Sequence, residues 1–224
     1  LGIDQFDDTT YEPERLMYWP STPKDIEYYF QCQDGPWLSA DEVLATYHNW
    51  KDATEWPVSD RQGDMIRRDI RKQADPLEKT GIVGVFCRTY GIHRAIETFL
   101  PDVYEACDVD NRYTYRNGST AAGLIVYDDK FAFSHHGTDP TGGTLCNAFD
   151  LVRIHLFGDR DENVKKNGTR IDRYPSYLAM EELACNDTSV KRLLMEERQK
   201  GAVSDFEGVE TVSYTHLRAH ETSQ

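Results

Sequence analysis

Residues 127–158 read YDDKFAFSHHGTDPTGGTLCNAFDLVRIHLFG, and this stretch decides the fold. Asp128, Asp129 and Lys130 suit a tight hairpin turn and are followed by a strand at Phe131 to Ser134. Asn147 can cap a helix, with Asp150 three residues on facing the free amides and the positive dipole end. Phe149, Val152, Leu156 and Phe157 then form one apolar face, and Gly158 ends the helix. The result is a strand–loop–helix frame whose loop holds Ser134, His135, His136, Asp139 and the glycine pair Gly142-Gly143.

Upstream, strands are predicted over Arg112 to Tyr115 and Gly123 to Tyr127. Two short helices precede them: Ile82, Val85, Phe86 and Tyr90 carry one, stopped by Gly91, and Ala95, Ile96, Phe99 and Leu100 carry the other. A helix–glycine–helix of this spacing permits a helix-turn-helix, and an ordinary helical hairpin is the commoner outcome. Further upstream, LMYW at 16–19 reads as a strand ended by Pro20. Ser39 with Glu42 reads as a helix start, and Val43, Leu44, Tyr47 and Trp50 at helical spacing read as core. Residues 174–200 are helical, with Leu178, Met180, Leu183, Leu193 and Leu194 as buried positions.

The fold class is therefore α+β, in segments. Residues 1–56 form a first unit and 57–80 a polar linker with a short helix at 64–73. Residues 81–160 form a second unit, 161–173 another linker, and 174–211 a helical segment. The tail over 212–224 contains VSYTHLRAHET, which reads as a translated sequencing adapter and is set aside as artefactual. The chain starts with Leu1, and both ends are expected to be cut from a longer protein.

The 224 residues carry a net charge of −14 and a mean hydropathy of −0.67. That balance argues against broad, non-specific coating of DNA, since phosphate contacts need a basic face. The best local basic patch is Arg67, Arg68, Arg71 and Lys72, which reads first as a solvated helix face. The five cysteines are scattered without a CxxC pair, as in reduced, intracellular proteins. No apolar run is long enough to span a membrane. The expected setting is the cytoplasm of a bacterial host cell.

Three chemistries compete for the loop. His135, His136, Asp139 and Cys146 are four donors of the kinds zinc takes, although adjacent histidines on an extended backbone point to opposite faces. His136, Gly142-Gly143, Asn147 and His155 occur in the order of a His–Asn–His metal-dependent nuclease, in which a histidine acts as general base. Against it, the loop is short and Asn147 already serves as a cap. The third reading, favoured by these residues alone, is a non-catalytic nucleic-acid- or protein-binding fold whose polar groups satisfy one another.

Three blocks resemble a phage or plasmid replication protein. They are DDTTYEPERLMYWPS (Asp7–Ser21), GIVGVFCRTYGIHRAIETFLPDVY (Gly81–Tyr104), and the segment with SHHGTDP and NAFDLVRIHLFG. In that family an archaeo-eukaryotic-type primase–polymerase domain precedes a helicase of the virulence-associated protein E type. The resemblance covers most of residues 1–200. It implies that residues 1–56 are the C-terminal part of the primase–polymerase domain, with Asp7 a catalytic carboxylate for Mg²⁺ or Mn²⁺. Arg15 and Lys24 would hold nucleotide or template phosphates. The second unit resembles a primase zinc ribbon in layout, with SHHG where a cysteine pair would stand, so the fold can persist while zinc is in doubt. Ser134, His135, His136, Asp139, Asn147 and His155 would then contact single-stranded template DNA or a metal. The paired acids of the polymerase would lie before Leu1. No GxxxxGK[ST] phosphate loop is present, so the helicase domain would lie downstream. On this reading the chain is inactive by itself.

Overall fold

The computed structural model describes residues 22–32, 34–56, 60–162, 164 and 169–206. Asp7, Arg15 and the LMYW run lie outside the described residues. The elements in chain order are α1 (Ala40–Leu44), α2 (Asp60–Gln73), α3 (Gly81–Thr89), α4 (Ile92–Phe99), β1 (Tyr104–Ala106), β2 (Arg112–Tyr115), β3 (Leu124–Tyr127), β4 (Phe131–Ser134), β5 (Leu145–Asn147), α5 (Ala148–Phe157), α6 (Pro175–Asn186) and α7 (Thr188–Phe206). The architecture is mixed α/β, as the sequence predicts.

The strands form one antiparallel meander in the order β1-β2-β3-β4-β5. Alternation gives the sheet two buried faces. Leu124 pairs with Ser134, Val126 with Ala132, and Ala132 with Cys146; this face meets the main core of Phe86, Ile92, Ile96, Phe149, Leu151 and Met180. Tyr127 pairs with Phe131, and Phe133 with Leu145; this face is covered by Ile66 and Ile70 of α2. Residues 60–73, read from sequence as part of a linker, thus close the second face. Gln73 Nε2 also donates to the Leu145 carbonyl at 2.8 Å, occupying a backbone acceptor on the edge strand β5.

The hairpin turn between β3 and β4 is tied to α4. Asp128 and Asp129 both have positive φ, +53° and +55°, the geometry of a tight primed turn for which glycine and asparagine are the usual residues. Asp129 serves as a cap from outside the helix: its carbonyl accepts from Ile92 N at 3.1 Å and its carboxylate from His93 N at 2.9 Å. Gly91 permits this approach, since a Cβ there would lie 2.0 Å from Asp129 Oδ2. Asp129→Ala is expected to cost about 1–2 kcal/mol through the lost cap. Asp129→Gly should cost less, because it relieves the positive φ; urea unfolding midpoints compare the two.

Several sequence expectations are corrected. Val43, Leu44 and Trp50 are exposed, because α1 is a single turn and among the described residues nothing packs over them; the Ser39 cap is present, accepting from Glu42 N at 3.4 Å. On α5, Leu156 is exposed while Leu151 is buried. That helix touches α3, α4, α6 and two strands, so its burial is not confined to one stripe. Leu178 faces out from α6, whose inward positions are Met180 and Ala184. Among the described residues no helix is long and apolar enough to cross a membrane.

Candidate functional site

The loop from Ser134 to Thr144 folds back on itself through consecutive turns. Asp139 N donates to the His136 carbonyl at 3.2 Å, Gly142 N to the Asp139 carbonyl at 2.8 Å, and Thr144 N to the Thr141 carbonyl at 3.0 Å. Gly143 N returns to the Ser134 carbonyl at 2.9 Å. The loop reaches the surface at Gly137, Thr138, Pro140, Gly143 and Thr144, but Ser134, His136, Asp139, Thr141 and Asn147 turn inward and are each at most 5 % exposed.

Asp139 is the centre of one network. Its Oδ1 accepts from Thr141 N at 2.8 Å and from Thr141 Oγ1 at 2.7 Å, the short-range turn that an Asp-Pro-Thr sequence favours. Its Oδ2 accepts from the Tyr104 hydroxyl at 2.8 Å. His155 Nε2 lies 3.3 Å from Asp139 Oδ1 and 2.8 Å from the Tyr104 oxygen. With the tyrosine proton committed to Asp139, Nε2 of His155 is the donor in both contacts. Burial alone would raise the Asp139 pKa, but hydrogen bonds from His155, Ser134 and Thr141 outweigh it and hold the carboxyl well below the usual range. The same burial, together with the Asp139 charge, keeps Tyr104 protonated far above a normal tyrosine.

His136 belongs to a second network. Its Nε2 accepts from the backbone N–H of Tyr115 at 3.2 Å. A backbone amide only donates, so Nε2 is bare and Nδ1 carries the hydrogen, which it gives to Thr120 Oγ1 at 2.8 Å. The ring is neutral and fully engaged. His135 turns the other way and sets its ring against Phe133 at 4.9 Å, edge to face; adjacent residues on extended backbone diverge as expected. Burial lowers the pKa of both histidines.

That shift fixes a pH dependence. Each folded-state pKa lies below the ordinary 6.5, so the unfolded chain binds protons more readily in that range. Stability is complete above pH about 6.5 and falls as pH drops through the lowered folded values. Urea midpoints are expected to decline from pH 7.5 to pH 5. His136→Asn should flatten that decline, since it removes one titrating ring; an unchanged slope would deny His136 the role.

Asn147 is confirmed as the cap of α5. Its Oδ1 accepts from Asp150 N at 2.9 Å and its Nδ2 donates to Asp150 Oδ2 at 3.0 Å. The buried Cys87 thiol also points to Oδ1, at 3.8 Å, and burial pushes that thiol up to about 11. Asn147 hydrogen-bonds neither His136 nor His155, so the structure does not assemble these three into one reactive centre. Among the described residues no group of three His, Cys, Asp or Glu side chains is placed to hold a metal ion. Lys24 sits in an exposed turn.

Sequence reasoning missed Tyr104, Thr120 and Thr141, and also Arg153. Arg153 is buried, with Nε donating to Asp150 at 3.0 Å and one terminal nitrogen to Ser176 Oγ at 2.8 Å. Asp161 lies 3.7 Å from it and accepts from Ser176 N at 2.9 Å. The only usable signal was a charged residue among the apolar positions of DLVRIHLFG. Helix α5 therefore has three anchors: Asn147 at its start, Arg153 toward α6, and His155 toward the loop. Among the described residues the only buried side-chain oxygen or nitrogen without a partner is Asp172 Oδ1, so none of the loop's buried side-chain polar atoms is left over.

Fold and site together define a mixed α/β unit whose most polar motif is an internally satisfied brace. Residues 1–59 match the family model described as the VapE N-terminal domain, a match that ends just before α2 and supports a VapE-like character for the N-terminal part of the chain. No curated protein matches the chain, and no solved structure matches it.

Proposed function

We propose that this chain is a segment of a replication protein of the phage or plasmid VapE type. Residues 81–160 act as a non-catalytic module that contacts single-stranded template DNA, keeping the hairpin–loop–helix order of a primase ribbon within a larger meander. The observation that carries the reading is the VapE N-terminal match over residues 1–59, which spans the Asp7–Ser21 block. In the parent protein, template-directed nucleotidyl transfer would use Asp7 with Mg²⁺ or Mn²⁺, and Arg15 and Lys24 would hold phosphates. A helicase domain would be the coupled partner. The closed network around Asp139 and His136 supports a structural rather than catalytic role for residues 134–147.

The test is a titration of a labelled oligothymidylate with the full chain, followed by fluorescence anisotropy, with and without a chelator. Saturable binding that survives chelation, with no cleavage of the strand, is expected. Metal-dependent cleavage abolished by Asn147→Ala would replace this reading with the His–Asn–His nuclease. Absence of any binding would leave a protein-interaction adaptor instead.

A further inference from the structure

The cleft between α3, α4 and the start of α7 encloses about 200 Å³ and is lined by Arg88, Arg94, Arg192, Ser189 and Glu196, among others. Three guanidinium groups facing one cleft are unexpected in a chain of net charge −14.

The three arginines are not equivalent. Arg88 is saturated: its Nε and one terminal nitrogen hold both oxygens of Glu197 at 2.7 Å, and the other donates to the Leu77 and Lys79 carbonyls. It builds the wall. Among the described residues Arg94 makes no ion pair; its guanidinium lies 5.1 Å over the Tyr90 ring, an arrangement that leaves the edge donors exposed. Arg192 meets a single carboxylate, Glu196, at 3.8 Å, with both side chains well exposed, so that pair is weak. Asp187 is held at the start of α7, accepting from Val190 N at 2.9 Å and from the Tyr90 hydroxyl at 3.0 Å.

We propose that Arg94 and Arg192 clamp a phosphate ester in this cleft, with Glu196 as the exposed competitor it displaces. The ligand is one phosphate of a single-stranded DNA backbone; this choice of source rests on the replication reading above, whereas the phosphate site does not.

The full chain and the variants Arg94→Gln, Arg192→Gln and Glu196→Gln are titrated with labelled oligothymidylate at several salt concentrations. An Arg68→Gln/Arg71→Gln variant on α2 serves as control. Each cleft arginine variant is expected to bind roughly threefold to tenfold more weakly at low salt and to lower the salt slope by about 0.7. Glu196→Gln should bind more tightly, and the α2 variant as the parent does. Parental affinity in both cleft arginine variants overturns the proposal. A thermal shift with pyrophosphate separates the two readings: stabilisation of the parent but not of Arg94→Gln, without oligonucleotide binding, keeps the phosphate site and rejects the DNA source. No response to either probe overturns the site.

Discussion

Asp139→Ala is expected to lower the stability of the protein by about 3–5 kcal/mol, the range for removing one member of a buried, charge-assisted network. The carboxylate is the common acceptor for Thr141 N, Thr141 Oγ1 and the Tyr104 hydroxyl, and His155 Nε2 lies within reach. Alanine leaves all four donors without their acceptor in a site where the Asp139 side chain has no exposure. Asp139→Asn should cost less, since the amide keeps one acceptor and the tyrosine hydroxyl can turn. The Asp139 contribution is present above pH 3.8, the ordinary carboxyl value, and fades only as pH falls toward the lower folded value. Urea unfolding at pH 7 measures the effect; an alanine variant within 1 kcal/mol of the parent would show that the network is not holding the loop.

Gly123→Ala carries the second large effect. A Cβ at this position would lie 2.6, 2.7 and 2.9 Å from Nε2, Cε1 and Cδ2 of His136. The ring cannot simply swing aside, because both nitrogens are held, one by Tyr115 N and one by Thr120. Overpacking of this kind costs about 1–3 kcal/mol, and losing two hydrogen bonds adds about 1 kcal/mol or more. The decisive measurement is the double variant. If the clash is with the His136 ring, Gly123→Ala in a His136→Ala background should cost much less than in the parent. Additive losses would place the strain elsewhere.

What the sequence revealed followed the range of the interaction. The Asn147–Asp150 cap, the β3–β4 turn and the strands around Arg112, Leu124 and Phe131 depend on neighbours within a few residues, and they read correctly. So did the divergence of His135 and His136, which follows from backbone geometry alone. The partners of the loop did not read, because Tyr104 is 35 residues from Asp139 and only the meander brings them together. The role of α2 was hidden for a similar reason: its apolar contribution is Ile66 and Ile70, too few to distinguish a packed helix from a linker. Val43, Leu44 and Trp50 show the opposite failure, where helical spacing suggested burial and no partner surface arrives within the described residues. The blocks assigned to catalysis, Asp7 and Arg15, lie outside those residues.

Helix α2 also has a consequence for how this protein can be cut. It covers Phe131, Phe133 and Leu145 and engages a β5 carbonyl through Gln73. A chain shortened to begin at residue 76 would bare an aromatic sheet face beside an unprotected strand edge. Such surfaces pair with copies of themselves. Light scattering should therefore find the shortened chain associating with concentration under conditions where the full chain does not, and restoring α2 as a separate peptide should reverse it. In that sense α2 is a built-in chaperone for the sheet, and a piece that keeps this face covered has to start near residue 60 rather than at the first strand.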